Sequence, residues 1–266
     1  MATLDLAWRE DPATLSERFV WALDTFGALG QEVVVLRAVL FDFDGVIADS
    51  EPLHWAAMNQ VLALHGVPQV SKDYYYRNML GLDDRGLFRD SFALAGAPLP
   101  PDLLATLVAQ KSERFLAMAG CRDVMLPGAE EFIKAVGRRY PLAICSGALR
   151  HEIETILRAA GLREHFGVIV AAEDVQRGKP DPEGYLLAKC RLQEKHRLDP
   201  PLAGGECLVI EDSCAGIEAA KRAGMTCLAV TTSLDGERLS LADAVVATLH
   251  EADAGLLSRL FGEAGR

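Results

Sequence analysis

Six short apolar runs punctuate the chain: Ala38 to Phe41, Leu142 to Cys145, Val168 to Ala172, Cys207 to Ile210, Cys227 to Val230 and Ala244 to Val246. Each is strand-sized, rich in Val, Ile or Leu, and lacks the alternation of a strand with one wet face. The pattern therefore predicts strands buried on both sides. Between them, helical patterns occupy Ala129 to Arg138, Arg150 to Ala160, Pro182 to His196 and Ala215 to Ala223, and Gly161 and Gly224 stand where two of these stop. Strands alternating with helices of this length predict a parallel sheet with right-handed crossovers, a doubly wound α/β architecture.

The stretch from Glu51 to Met125 breaks that rhythm. It holds helical segments at Leu53 to His65, Asp83 to Ala95 and Pro101 to Ala119, joined by Gly66-Val67-Pro68 and Gly96-Ala97-Pro98, with no convincing strand. The expected division is an α/β core of residues 1–50 and 126–266, carrying an N-terminal helical extension (Asp11 to Phe26), and an inserted helical domain of residues 51–125.

Composition narrows the class. With 266 residues, 50% hydrophobic and 24% charged, the chain reads as a packed globular protein rather than a disordered one. A formal charge of −11 disfavours nucleic acid and anionic membrane as partners. No apolar run approaches the ~18 residues that cross a bilayer, and Arg9, Glu10 and Asp11 fall where a secretory leader would be apolar. The expectation is a cytoplasmic protein, monomeric by default. Six cysteines (Cys121, Cys145, Cys190, Cys207, Cys214, Cys227) form no CxxC pair and read as free thiols, several beside apolar runs, rather than as zinc ligands or disulfides.

The chemistry concentrates where strands end. After Val39-Leu40-Phe41 come Asp42-Phe43-Asp44-Gly45, so two acids leave the sheet at its C-terminal edge, where ligands bind in open α/β sheets. Two close acids in an apolar context need a cation, and an all-oxygen site suits magnesium. Beside such a cation Asp42 can attack phosphorus, while Asp44 can protonate a leaving oxygen and then deprotonate water. Glu211-Asp212 follow another strand, Ser146-Gly147 a third, and Lys179 opens a helix after a fourth. Ser146 and Gly147 offer a hydroxyl and N–H groups to a phosphate oxygen. Mg²⁺ and Lys179 would offset a phosphomonoester dianion together with Asp42 and Asp212. Lys179 is not part of a Walker A loop, and His151-Glu152 and His250-Glu251 lack the second histidine of a zincin.

The four segments DFDGV, SG after a strand, GKPDP and IEDSCAGIEAA resemble, in order and context, the four motifs of the haloacid dehalogenase-like (HAD) superfamily. The resemblance spans Val35 to Val246. It implies that Asp42 is the nucleophile that becomes an aspartyl-phosphate and Asp44 the general acid/base. It further implies that Asp42, the Asp44 main-chain carbonyl and Asp212 hold Mg²⁺, with Glu211 as a nearby ligand or supporting group. Haloacid dehalogenases lack an acid at the Asp44 position, so Asp44 argues for phosphoester chemistry.

The helical insertion resembles the small cap of the β-phosphoglucomutase-like group, and Asp49-Ser50-Glu51-Pro52-Leu53-His54 carries its hinge pattern. His54 falls where mutases have a histidine that positions the acid/base, the alternative being a helix-face residue with local bonds only. Lys111 falls near a cap lysine of the mutases. Arg85 lies in the cap's specificity loop, one residue out of register with the mutase arginine. Both cations read either as substrate contacts or as solvated surface. The expected function is a Mg²⁺-dependent phosphatase of a small phosphorylated metabolite, with a phosphomutase as the alternative and a non-catalytic binding module behind both. The stretch after Ser146 lacks the polar residues by which mutases orient a second hydroxyl, which favours the phosphatase.

Overall fold

The computed structural model describes residues 34–120 and 124–261. Strand β1 (Ala38–Phe41) is buried at every position and sits in the middle of a six-stranded parallel sheet of order β3-β2-β1-β4-β5-β6. The others are β2 (Leu142–Cys145), β3 (Phe166–Val170), β4 (Cys207–Glu211), β5 (Thr226–Val230) and β6 (Ala244–Val246). The strand order reverses beside β1, so the chain ends leaving β1, β2 and β4 converge on one crevice at the C-terminal edge. Phe41 anchors the sheet from below, with edge-on contacts to Phe132 and Phe166 at centroid distances of 6.0 and 5.7 Å.

Among the described residues, five helices lie between β1 and β2. Four of them, α1 (Glu51–Leu64), α2 (Lys72–Asn78), α3 (Asp84–Leu94) and α4 (Pro101–Ala119), form the inserted segment, and α5 (Ala129–Gly137) returns the chain to β2. Pro52 and Pro101 open α1 and α4, where a missing N–H costs nothing. Asp83 caps α3 by accepting the Gly86 N–H at 2.8 Å. Helix α2 has no counterpart in the sequence reading. Only Tyr75 of its seven residues is buried, so no apolar period marks it.

The chain enters and leaves the inserted segment side by side. Ala48 and Met125 form an antiparallel bridge, flanked by bonds from the Asp49 N–H to the Val124 carbonyl (2.7 Å) and from the Leu126 N–H to the Ile47 carbonyl (3.0 Å). The crossovers α6 (Arg150–Ala159), α7 (Glu183–His196) and α8 (Cys214–Arg222) complete the layers over β2 to β5. Most boundaries shift by a residue or two from expectation, and two of the shifts bear on the site. Strand β3 stops at Val170 because the Asp174 carboxylate takes the Ala171 N–H at 2.9 Å and turns the chain. Helix α7 begins at Glu183, one residue past the expected start at Pro182, and Lys179 stands in the turn before it.

Leu36–Asp253 forms one compact unit that holds these elements, and helix α9 (Ala254–Phe261) belongs to a second unit. The expected N-terminal helix and Cys121 lie outside the described residues. No helix among them is long and apolar enough to cross a membrane.

Candidate active site

The sheet edge brings together most of the residues singled out by sequence. Asp42 continues the ladder with a bond from its N–H to the Ile210 carbonyl, and the turn at Gly45 (φ +76°) folds the chain back over Asp212. A Cβ on Gly45 would lie 1.9 Å from Asp212 Oδ2, so the close approach and the left-handed backbone both require glycine.

Lys179 Nζ donates to Asp42 Oδ1 and to Glu211 Oε1, each at 2.6 Å. Glu211 is the most heavily bonded acid of the site. Its Oε1 also accepts from the Tyr185 hydroxyl (2.7 Å), and its Oε2 accepts from the N–H of Asp212 (3.0 Å) and from the N–H (3.1 Å) and hydroxyl (3.0 Å) of Ser213. Burial pushes Glu211 upward, but Lys179, Tyr185 and the Ser213 N–H outweigh it and hold the carboxyl below its usual range. Gly216, inside α8, leaves room for this carboxylate: a Cβ there would fall 1.7 Å from Glu211 Oε1.

Asp42 is pushed up to about 8 by burial, with Glu211 and Asp44 adding and Lys179 opposing. Asp212 is driven well above the carboxylate range by burial and then by Glu211 and Asp42. One carboxylate oxygen from each of Asp42, Glu211 and Asp212 lies within 4.8 Å of the others, all three residues are buried, and Asp212 Oδ2 has no hydrogen-bond partner. Crowded, partly unsatisfied carboxylates with all-oxygen donors fit a hard divalent cation.

Asp44 belongs to a second network. Its Oδ1 accepts from the Ser50 hydroxyl (2.5 Å) and His54 Nε2 (3.0 Å), and its Oδ2 accepts from the Ser146 hydroxyl (3.3 Å). Burial raises this carboxyl, yet His54, Ser50 and Lys111 prevail and hold it at about 2. The His54 ring stacks on Phe115 with centroids 4.1 Å apart. Lys111 Nζ contacts His54 Nδ1 at 2.5 Å and Asp84 Oδ1 at 2.7 Å, and Glu152 Oε1 stands 4.0 Å away.

Lys111 is wholly buried, which removes the solvated-surface alternative for it, and His54 is likewise no mere helix-face residue. Arg85 does not join the cluster. It is exposed on the first turn of α3 rather than in a loop, and it lines a separate groove with Arg89, Leu104 and His151. Ser146 also accepts the Ala148 N–H, and Gly147 lies under the loop before α3, its Cβ position 3.4 Å from Asp83 Cα.

A cavity of about 20 Å³, lined by Asp42, Asp44, His54, Asp84, Gly147 and Lys179 among others, joins these groups. That is room for about one water. Sequence reasoning overlooked Asp84, Glu152 and Tyr185. Glu152 reads from sequence as a helix-start acid, and its Oε2 does accept the Leu149 N–H at 3.3 Å. Tyr185 reads as core and is fully buried, yet its hydroxyl reaches Glu211.

An acid pair at β1, a hydroxyl at β2, a lysine beyond β3 and an acid pair at β4, all meeting at one edge, define a haloacid dehalogenase-like hydrolase. Residues 36–224 match that family as a whole, and the chain belongs to it. Within the family it is an enzyme of the phosphoric monoester hydrolase kind. It is 32% identical over 216 residues to the validoxylamine A 7′-phosphate phosphatase of Streptomyces hygroscopicus subsp. limoneus, across 81% of this chain and 95% of that protein. It is 31% identical over 221 residues to the phosphorylated carbohydrates phosphatase of Thermotoga maritima, across 79% and 93%. In fold it is similar to a β-phosphoglucomutase from Clostridium difficile, with a TM-score of 0.76 at 20% identity, covering 86% of this chain and 98% of that one.

Proposed function

We propose that this enzyme is a Mg²⁺-dependent phosphatase that hydrolyses a small phosphorylated metabolite, a sugar phosphate or similar phosphomonoester, through an aspartyl-phosphate on Asp42. The observation that carries this reading is the pairing of two acids in one buried cavity: Asp42 is held against Lys179, and Asp44 is fixed by Ser50, His54 and Ser146. The two phosphatases named above act, by their names, on validoxylamine A 7′-phosphate and on phosphorylated carbohydrates, which supports the substrate class.

In this reading Asp42 forms a bond to phosphorus as the ester P–O bond breaks, and Asp44, ionised in this geometry, relays to the leaving oxygen a proton that the phosphate monoanion brings into the site. Water then attacks phosphorus, Asp44 takes a proton from it, and the bond to Asp42 breaks to return the carboxylate. Lys179, Ser146 and the N–H groups at Gly147 receive the phosphate oxygens. Asp42, Asp212 and the Asp44 carbonyl would hold Mg²⁺, which supplies positive charge against the phosphate dianion. Glu211, its oxygens already engaged by five donors, anchors Lys179.

Residues 51–125 act as a lid in this account, hinged where residues 47–49 and 124–126 run together, because a cavity of about 20 Å³ admits substrate only after opening. The setting is cytoplasmic and the enzyme a monomer, acting on small molecules rather than nucleic acid or membrane.

A phosphomutase of the β-phosphoglucomutase type is the second reading, favoured by the Lys111–His54–Asp44 chain of contacts. The test is phosphate release from a panel of phosphomonoesters, with intact mass on a rapidly quenched sample. Stoichiometric inorganic phosphate and an adduct lost in Asp42→Asn support the phosphatase. Isomerisation of β-glucose 1-phosphate to glucose 6-phosphate, dependent on a bisphosphate primer and faster than hydrolysis, supports the mutase instead.

A further inference from the structure

Asp84 carries an oxygen for which the fold supplies no partner. The residue is 5% exposed and stands on the wall of the cavity shared by Asp42, Asp44 and Lys179. Its Oδ1 pairs with Lys111, while its Oδ2 is sealed from solvent and receives no hydrogen bond. Leaving a buried acceptor unsatisfied is unfavourable, and more so if it is charged. Helix α3 gains nothing from Asp84 as a cap, because Asp83 already fills that position. Lys111, the cation in contact with Asp84 among the described residues, also meets His54 and faces Glu152.

We propose that Asp84 Oδ2 accepts a hydrogen bond from the substrate, so that this enzyme selects phosphomonoesters whose leaving group carries a hydroxyl or protonated amine and no second anionic group. The inference rests on the hydrolase reading above and narrows it. Four carboxyl groups, Asp42, Asp44, Glu51 and Asp84, line the cavity against Lys179 and His54. With Lys179 and a divalent cation engaged by the phosphate, a leaving group meets a wall of acids. A neutral or cationic donor is accepted there, and a second phosphate or a carboxylate is repelled.

The placement also links selection to closure. Asp84 immediately follows the loop whose Asp83 backbone lies over Gly147, and its neighbour Gly81 approaches Ser213, with a Cβ position 3.0 Å from the Ser213 hydroxyl. Asp84 thus reaches the core site through the same contacts that seal it. A plain alkyl phosphate would close the cavity with the Asp84 oxygen still unpaired, and a polar site discriminates most strongly against a ligand lacking the matching group.

The test compares phosphate release by the full-length enzyme with Mg²⁺ from matched esters: glycerol 1-phosphate against propyl phosphate, ethanolamine phosphate against ethyl phosphate, and propane-1,3-diol bisphosphate against propyl phosphate. We expect kcat/KM to favour the hydroxylated or aminated member by about 10- to 100-fold, the range of one hydrogen bond to a charged group. The larger of the two ratios identifies hydroxyl or ammonium as the preferred donor, and the bisphosphate should fall below propyl phosphate. In Asp84→Ala the ratios should collapse toward one, whatever becomes of the absolute rates. Wild-type ratios near one for both donor pairs overturn the proposal even if the variant does not fold, as do ratios that survive in a folded Asp84→Ala. No release from any ester overturns the hydrolase reading and this inference with it, whereas release without discrimination overturns this inference alone.

Discussion

His54 sits between Asp44 and Lys111 with a ring nitrogen turned to each, at 3.0 Å and 2.5 Å. An ammonium has only donors, so Nδ1 must accept from Lys111, which places the imidazole proton on Nε2 and directs it at Asp44. Asp44 is thus held, through the histidine, by a residue of α4 that lies 57 positions beyond that histidine.

Replacing His54 with Ala should lower kcat for phosphate release by about 10- to 100-fold, part of the contribution expected of a well-placed acid/base group. His54 helps hold the Asp44 carboxyl at about 2, so its loss raises that value. The ionised form that accepts a proton from water is then reached only at higher pH, and the acidic limb of the kcat profile should move upward. A pH series of kcat checks both effects.

Lys111→Met should leave Asp84 and Glu152 buried without a cation, a cost of about 3–5 kcal/mol. At 2–4 °C per kcal/mol, the melting temperature should fall by about 6–20 °C. Lys134 pairs with Glu130 on an exposed helix face, and Lys134→Met should change stability by no more than about 0.5 kcal/mol. Thermal unfolding of the two variants makes the comparison.

Mg²⁺ at a hundredfold excess over its Kd should stabilise the enzyme by about 2.7 kcal/mol, or about 5–11 °C in melting temperature. Asp212→Asn should abolish that shift. Without the metal, the same variant should melt no lower than wild type, because an amide replaces a buried carboxylate with an unpartnered oxygen. Excess chelator should stop phosphate release.

Gly216→Ala provides a test in which two expectations oppose each other. Helix propensity alone favours alanine by about 1 kcal/mol. The added Cβ, however, would fall 1.7 Å from Glu211 Oε1 and displace the anchor of Lys179. Phosphate release should drop more than about tenfold, the loss that follows from a misplaced oxyanion donor, and stability should not rise. Steady-state kinetics with a melting curve decides which effect dominates.

Cys145 and Cys207 are each pushed up to about 12 by burial, so at pH 8 almost none of either is thiolate. Cys190 is exposed. Peptide mapping after iodoacetamide at pH 8 should find Cys190 modified well before Cys145 or Cys207.

The sheet was legible because β1 to β5 are buried at nearly every position and stand in the sequence as unbroken apolar runs, whereas β6 at the sheet edge exposes Val245 and so departs from the expected burial on both faces. The site was legible because Asp42, Ser146 and the Glu211-Asp212 pair follow those runs directly, and Lys179 stands in the turn before the helix that follows β3. The inserted segment was less so. Helix α2 escaped because Lys72, Asp73, Arg77 and Asn78 surround a single buried tyrosine. Arg85 was singled out and Asp84 overlooked because neighbours on a helix differ by about 100° in direction, and nothing in the dipeptide says which faces inward. Lys111 and Glu152 were ambiguous for a similar reason. A buried charge is recognisable only by its partner, and theirs come from distant parts of the chain.

If residues 51–125 close over the sheet edge as proposed, a chamber with room for one water would divide each catalytic cycle into intervals of access and intervals of isolation. While it was shut, the reacting groups would meet at most a solitary molecule of solvent, and the identity of whatever shared the space would have been decided before the door closed. Selectivity would then belong to the moment of shutting rather than to the chemical act. Movement about residues 47–49 and 124–126 would be the clock of the enzyme, and a more viscous medium would slow it even though no bond being made or broken feels the solvent.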